Sequence, residues 1–304
     1  MRLDIRYRMF FAYDAPVREE HNEVRVRPRD DSRQRLLAYR LTPVPAVRVL
    51  SFIDYWGSTV EHVGLVPDHD HFEIIAEAAV ETRMVDPIGT TPLALVTDNQ
   101  FRHDNVEFLG VSNHVVWDES VATLARDAIA GTDDVVGAVD AIMAEVRRLI
   151  AYEKGSTTIG IRLDELLEGG AGVCQDFTHL TIGMLRAVGI PARYISGYLF
   201  AADETEIDPD HSEPVTVQTH AWVEAAVPGQ GWLAVDPTND RRVGERHVVI
   251  GHGRDYDDVA PVRGIYLGEA SPTVDATVEI RRMEPIDRAS TERPRRRSGP
   301  WPVL

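Results

Sequence analysis

Along the first eighty or so residues side-chain polarity alternates with a period of two, and nothing there shows helical spacing. Leu3, Ile5 and Tyr7 alternate with Arg2, Asp4, Arg6 and Arg8, the pattern of a strand with one dry face and one wet face. Val24 and Val26 alternate with Arg25 and Arg27 up to Pro28, and further strand-like runs occupy residues 36–41, 47–53, 59–63 and 72–80. Pro28, Asp30, Asp31 and Gly57 separate them. Short strands without intervening helices predict an antiparallel β-sandwich over residues 1–85.

The pattern then changes. Pro87, Gly89 and Pro92 interrupt any regular element, and helices follow at 119–130 and 134–152. In the longer one Val135, Val139, Ile142, Val146 and Ile150 form a single apolar stripe that needs a neighbour to bury it. Residues 265–283 return to a strand-like pattern. Residues 293–304, with Pro294, Arg295–Arg297, Pro300 and Pro302, read as a solvated tail. The organisation predicted is thus 1–85, 86–264 as a helical link and α+β core, and 265–304.

A chain of 304 residues with 43% hydrophobic and 27% charged side chains has an ordinary globular composition, and at roughly 150 residues per domain it accommodates two. Its formal charge of −17 disfavours nucleic acid and anionic membrane surfaces as partners and mildly favours neutral or cationic peptides. Nearly all its cations are arginine, Lys154 being the only lysine. No signal-peptide order and no membrane-spanning apolar run is present, so the cytoplasm is the expected location.

The single cysteine excludes an intramolecular disulfide and a multi-thiolate zinc site. Cys174 is therefore either a small buried hydrophobe or a reactive thiolate. Gly169, Gly170 and Gly172 precede it, and Leu180, Met184 and Leu185 recur at helical spacing after it, until Gly189 and Pro191. This places Cys174 at a helix N-terminus, where unpaired N–H groups and the helix dipole stabilise a thiolate and supply part of an oxyanion hole.

Residues 219–240 read as two strands joined by the turn Pro228, Gly229, Gln230 and Gly231. His220, Trp222 and Glu224 share one face of the first strand. With a three-residue loop, Asp236 lies opposite Trp222 and diagonal to His220, a Cα separation of roughly 7–8 Å that side chains bridge; a two-residue turn would spoil that parity. The hairpin can thus set a carboxylate against an imidazole, with Cys174 as nucleophile, His220 as base and Asp236 as orienter.

Gly-Val-Cys-Gln-Asp-Phe at 172–177, Thr-His-Ala-Trp-Val-Glu at 219–224 and Gly-Trp-Leu-Ala-Val-Asp-Pro-Thr at 231–238 resemble, in order and spacing, the three core motifs of the transglutaminase-like superfamily. Tyr13 to Val17 and His21 to Arg29 resemble the opening of the bacterial transglutaminase-like N-terminal domain, and residues 253–264 resemble the segment that follows the core. The resemblance implies a papain-like α+β core preceded by the β-sandwich, with Cys174, His220 and Asp236 in catalytic roles. It also implies no cofactor and no metal in the chemistry.

The activity implied is acyl transfer or hydrolysis at amide bonds of a peptide or protein through a thioester. The competing expectation is a non-catalytic binding or assembly module that retains the scaffold and recruits a protein partner through the N-terminal domain. Trp222, as a cleft wall, and the loop Arg254, Asp255 and Tyr256 are further candidates for substrate contact. Asp176 and His179 are expected in structural hydrogen bonds. Asp68, His69, Asp70 and His71 alternate in direction and are read as a solvated turn, not a metal site.

Overall fold

The computed structural model describes residues 1–201 and 214–283; the proline- and arginine-rich residues 293–304 lie outside them. Five strands open the chain, β1 (Arg2–Val24), β2 (Gln34–Val44), β3 (Val49–Ile53), β4 (Thr59–Leu65) and β5 (His69–Thr82). A helical stretch follows, with α1 (Asn99–Asp104), α2 (Glu119–Ala128), α3 (Val135–Leu149), the short strand β6 (Ala151–Tyr152) and α4 (Leu163–Gly169). Then β7 (Ala171–Gly172) leads into α5 (Cys174–Ala187), β8 (Ala192–Leu199), β9 (Val215–Val217), β10 (Thr219–Val227), β11 (Gly231–Asp236), β12 (Arg241–Arg242) and β13 (His247–Gly253). The chain closes with α6 (Tyr256–Val259), β14 (Val262–Leu267) and β15 (Pro272–Met283).

The first strand is longer than its pattern predicts, because β1 continues through Pro16 as one element where two were expected. Its first half buries Leu3, Ile5, Tyr7, Met9, Phe11 and Tyr13 and pairs antiparallel with β5 on one side and β15 on the other. Its second half pairs with β4 and β14 instead. The change of partners falls at a register shift between Ala12 and Val17, where a proline deprives no ladder of a donor. The sheet thereby curls over a core of Leu3, Tyr7, Phe72, Ile74 and Ile280. The strand predicted near the C-terminus completes this N-terminal sheet, with Ile5 opposite Ile280.

The second unit is a five-stranded antiparallel sheet of order β12-β11-β10-β8-β13. Its face bearing Ala221, Val223 and Ala225 packs on Phe177 and Leu180 of α5, and α2 and α3 add Val121, Val139, Ile142 and Val146 to the same core. Asp118 and Asp134 cap α2 and α3 by accepting first-turn N–H groups, which accounts for where both helices begin. Arg186, buried near the end of α5, donates to the carbonyls of Ala192, Gly110 and Arg254, and burial lowers its pKa to about 10.

Buried polar contacts join the two sheets. The Gln34 amide donates to the Val249 carbonyl and accepts its N–H at 2.8 and 2.7 Å, and the Tyr198 hydroxyl donates to the Val26 carbonyl at 2.9 Å. Glu224, 2% exposed, is shared by Arg33 of the β1–β2 connection and Arg193 of β8. The architecture is α+β, a curled antiparallel sheet before a papain-like core. Among the described residues no helix is long and apolar enough to cross a membrane.

Candidate active site

Cys174 begins α5, and the glycines before it give way to a short parallel pairing of Gly172 with Tyr152. Asp176, in the first turn, accepts the Val173 N–H at 2.8 Å and the Thr157 hydroxyl at 2.5 Å, locking the entry into the helix. Its second carboxylate oxygen is buried without a partner, and burial raises its pKa. His179 is 2% exposed and accepts the Tyr256 N–H at 3.2 Å; burial foremost, then the stacked His114 ring, hold it neutral with a pKa lowered to about 3.

The hairpin supplies the other two residues. Val223 pairs with Val235 and Val227 with Gly231, the register of a three-residue loop over 228–230, so Asp236 falls diagonal to His220. Nε2 of His220 is 2.8 Å from Oδ2 of Asp236, which leaves Nδ1 to the Cys174 sulfur. Cys174 from the start of α5 and His220 from the start of β10 come together in one groove. Burial by itself lowers the His220 pKa; the bonds to Asp236 and Cys174 outweigh it and push the value up to about 9. His220 is therefore protonated at neutral pH, as an imidazolium between two acceptors.

Asp236 is fully buried and accepts more donors than the sequence indicated. Oδ2 receives His220, Asn239 Nδ2 at 2.8 Å and His247 Nε2 at 3.2 Å, while Oδ1 accepts the N–H groups of Thr238 and Asn239, both at 3.1 Å. Burial opposes ionisation, but the bonds from His220, His247 and Asn239 hold the carboxyl well below the usual carboxylate range. Asn239 lies three residues past Asp236 and is visible as a local turn residue. His247 had no signal in spacing, since it arrives from β13, on the far side of β8. Ligand atoms of His220, Asp236 and His247 lie within 4.8 Å of one another, yet both imidazoles already share Oδ2, so a cation there would break both contacts.

Trp222 does not wall the cleft. It is fully buried, edge-on to His247 with ring centroids 5.2 Å apart, beside His220 and over Gly197 of β8. A Cβ at Gly197 would lie 2.3 Å from the indole and 2.2 Å from the Val248 carbonyl oxygen. Gly197→Ala is therefore expected to destabilise the protein by about 1–3 kcal/mol through overpacking, read by urea denaturation, and to slow Cys174 alkylation as Trp222 shifts the two histidines. Unchanged values for both would remove this role from Trp222.

Of the loop after β13, only Tyr256 faces the groove. Arg254 pairs with Asp258 at 2.9 Å and lies over the Trp56 ring, while Asp255, 2% exposed, caps α6 and accepts the His114 N–H. These two hold the loop rather than line the cleft. His69 bonds buried Glu20 at 2.7 Å and His71 its neighbour Asp70 at 2.6 Å, so the histidines near residue 70 do not converge. Residues 69–71 belong to β5 instead of the expected turn. The groove itself, of about 810 Å³, exposes Cys174, Gln175, His220, Asn239 and Tyr152 at one surface.

Residues 122–237 match the Transglutaminase-like superfamily, and residues 3–81 match the Bacterial transglutaminase-like N-terminal region. The chain belongs to this superfamily, in the group of bacterial proteins that carry that N-terminal region. It is 34% identical to an uncharacterized protein of Mycobacterium leprae over 278 residues, 90% of this chain and 96% of that protein. A crystal structure of a proposed cysteine protease from Cytophaga hutchinsonii superposes with a TM-score of 0.72 at 26% identity, covering 92% of this chain and 90% of the other. A shorter stretch of 77 residues is 40% identical to a protein-glutamine gamma-glutamyltransferase of Pseudomonas aeruginosa, 25% of this chain and 11% of that protein.

Proposed function

We propose that the protein is a cysteine-dependent enzyme acting on amide bonds of peptides or proteins, with Cys174 as nucleophile, His220 as acid and base, and Asp236 as orienter. The observation that carries this reading is the 2.8 Å bond from Asp236 to Nε2 of His220, which turns Nδ1 toward the sulfur in an open groove. The Cys174 thiolate attacks the amide carbon, forming an S–C bond and a tetrahedral oxyanion near the first-turn N–H groups of α5. Collapse breaks the C–N bond; the His220 imidazolium gives its proton to the leaving amine, and a thioester remains. Neutral His220 then takes a proton from the acyl acceptor, which attacks the thioester and releases the thiolate. Water as acceptor gives a peptidase or amidase, and an amine gives a transglutaminase.

The test combines two pH profiles measured by mass spectrometry from about pH 5 to 10. With limiting iodoacetamide, Cys174 of the folded protein is expected to alkylate readily, and more slowly in His220→Ala. With a library of glutamine-containing peptides, amine release is expected to fall as pH rises through about 9, where His220 loses the proton it must donate, while alkylation does not fall. Adding a primary amine separates the acceptors, since transfer adds its mass and hydrolysis does not. A Cys174 that reacts only after denaturation would sink the proposal.

A further inference from the structure

A recess of about 190 Å³ opens off the Cys174 groove, and Gln218, Thr219, Tyr256 and Pro261 border both. Its far wall belongs to the N-terminal sheet, Tyr7 and Met9 from β1 and Ala276 and Val278 from β15. Among the described residues no acidic or basic side chain lines it, and the Tyr7 hydroxyl is turned to the Met9 sulfur at 3.8 Å. Backbone pairing ties the recess to the strand that carries His220. Val217 pairs with Val278 in the N-terminal sheet and Thr219 pairs with Tyr198 in the core sheet, so the chain crosses from one sheet to the other at Gln218, beside His220.

We infer that this recess is a specificity pocket, built jointly by both units, that takes one uncharged apolar side chain of the peptide whose amide carbon meets Cys174. The inference rests on the amide-bond reading of the groove and adds its substrate class: a peptide with a leucine-, methionine- or phenylalanine-sized residue close to the reacting bond. Pockets for whole small ligands span roughly 300–1,000 Å³, so a recess of about 190 Å³ suits a single side chain. Its lining is mostly aromatic, aliphatic and thioether, with the Gln218 amide and Thr219 hydroxyl as polar groups, so it favours an uncharged, largely apolar occupant and leaves an ammonium or carboxylate unpaired. The N-terminal sheet thus acts as part of the substrate site.

The experiment uses the full chain and peptidyl α-ketoamides, which carry residues on both sides of an electrophilic carbonyl. Each position is varied among Ala, Leu, Met, Phe, Lys and Glu, and binding is read as protection of Cys174 from iodoacetamide by intact mass. At one position Leu, Met or Phe is expected to protect at a concentration about tenfold or more below that for Ala, with Lys and Glu weaker still. Ala276→Trp, an exposed position facing the recess, should abolish that preference while the iodoacetamide rate without peptide stays unchanged. Met9→Ala, which enlarges the recess, should shift the preference from leucine toward phenylalanine. Equal protection by all side chains, or a preference untouched by both substitutions, would overturn the pocket and leave the amide-bond reading standing. Failure of every ketoamide to protect an iodoacetamide-reactive Cys174 would overturn that reading itself, and the pocket with it.

Discussion

Cys174→Ala is expected to lower amide turnover by on the order of 10⁴–10⁶-fold while the protein stays folded, because removing the nucleophile of a unit that acts together costs about as much as removing the whole unit. Cys174 is only partly buried, so losing its sulfur should change stability by less than about 1 kcal/mol, measured as the urea midpoint. The comparison separates an enzyme from a scaffold. A variant that keeps both its fold and the protein's biological activity would favour a binding or assembly module, and the groove would then be a relic.

Asp236→Ala is expected to be the most destabilising single change in the site, by about 3–5 kcal/mol. The cost arises because one side chain satisfies two imidazoles, a side-chain amide and two backbone N–H groups, all left facing a void if it is truncated. Asp236→Asn keeps the volume but removes the charge that balances the His220 imidazolium, so it should fold while losing about 10⁴-fold in turnover. The pH dependence has a defined sign. The carboxyl is held below its unfolded value near 3.9, so its contribution to stability is present above that pH and is lost as pH falls through the folded value. Wild-type protein should therefore show a stability step in acid that Asp236→Asn lacks. Equal urea midpoints for wild type and Asp236→Ala would show that His247 and Asn239 find other partners.

The opposite sign applies at the histidine. The His220 pKa rises from 6.5 to about 9 on folding, so its contribution is fully present below 6.5 and disappears as pH rises through about 9. The buried Asp236–His220 pair should thus weaken the protein on both sides of a broad neutral plateau.

The parts of this protein that lie in short contiguous motifs were legible before the fold was known. A cysteine after glycines at the start of an apolar-periodic segment can only sit at a helix N-terminus. The parity of β10 and β11 about a three-residue loop determines that Asp236 and His220 share a face, since strand geometry permits two orientations per residue. The same alternation picked out Leu3, Ile5 and Tyr7 as the dry face of β1. Local pattern failed where partners came from afar. A proline inside a strand usually costs a ladder bond, yet β1 runs through Pro16 because it changes neighbours there and no bond is lost. Trp222 was correctly placed beside His220, but how deeply it sits depends on Gly197, in a strand that pairs with it only after folding. His247 reaches Asp236 across the sheet, and Arg254 and Asp255 turn away from the groove because Asp258, Trp56 and His114 hold them. Val278 reaches the recess beside the Cys174 groove because β15 pairs with β1, and β9 in turn pairs with β15 just before the strand that carries His220. Sequence by itself determined where Cys174 sits on its helix and that His220 and Asp236 share a face, through helix ends and strand parity, both properties of a few neighbouring residues. The tertiary structure alone decided what surrounds them, because burial, charge compensation and the walls of a pocket are set by long-range pairings that no local period encodes.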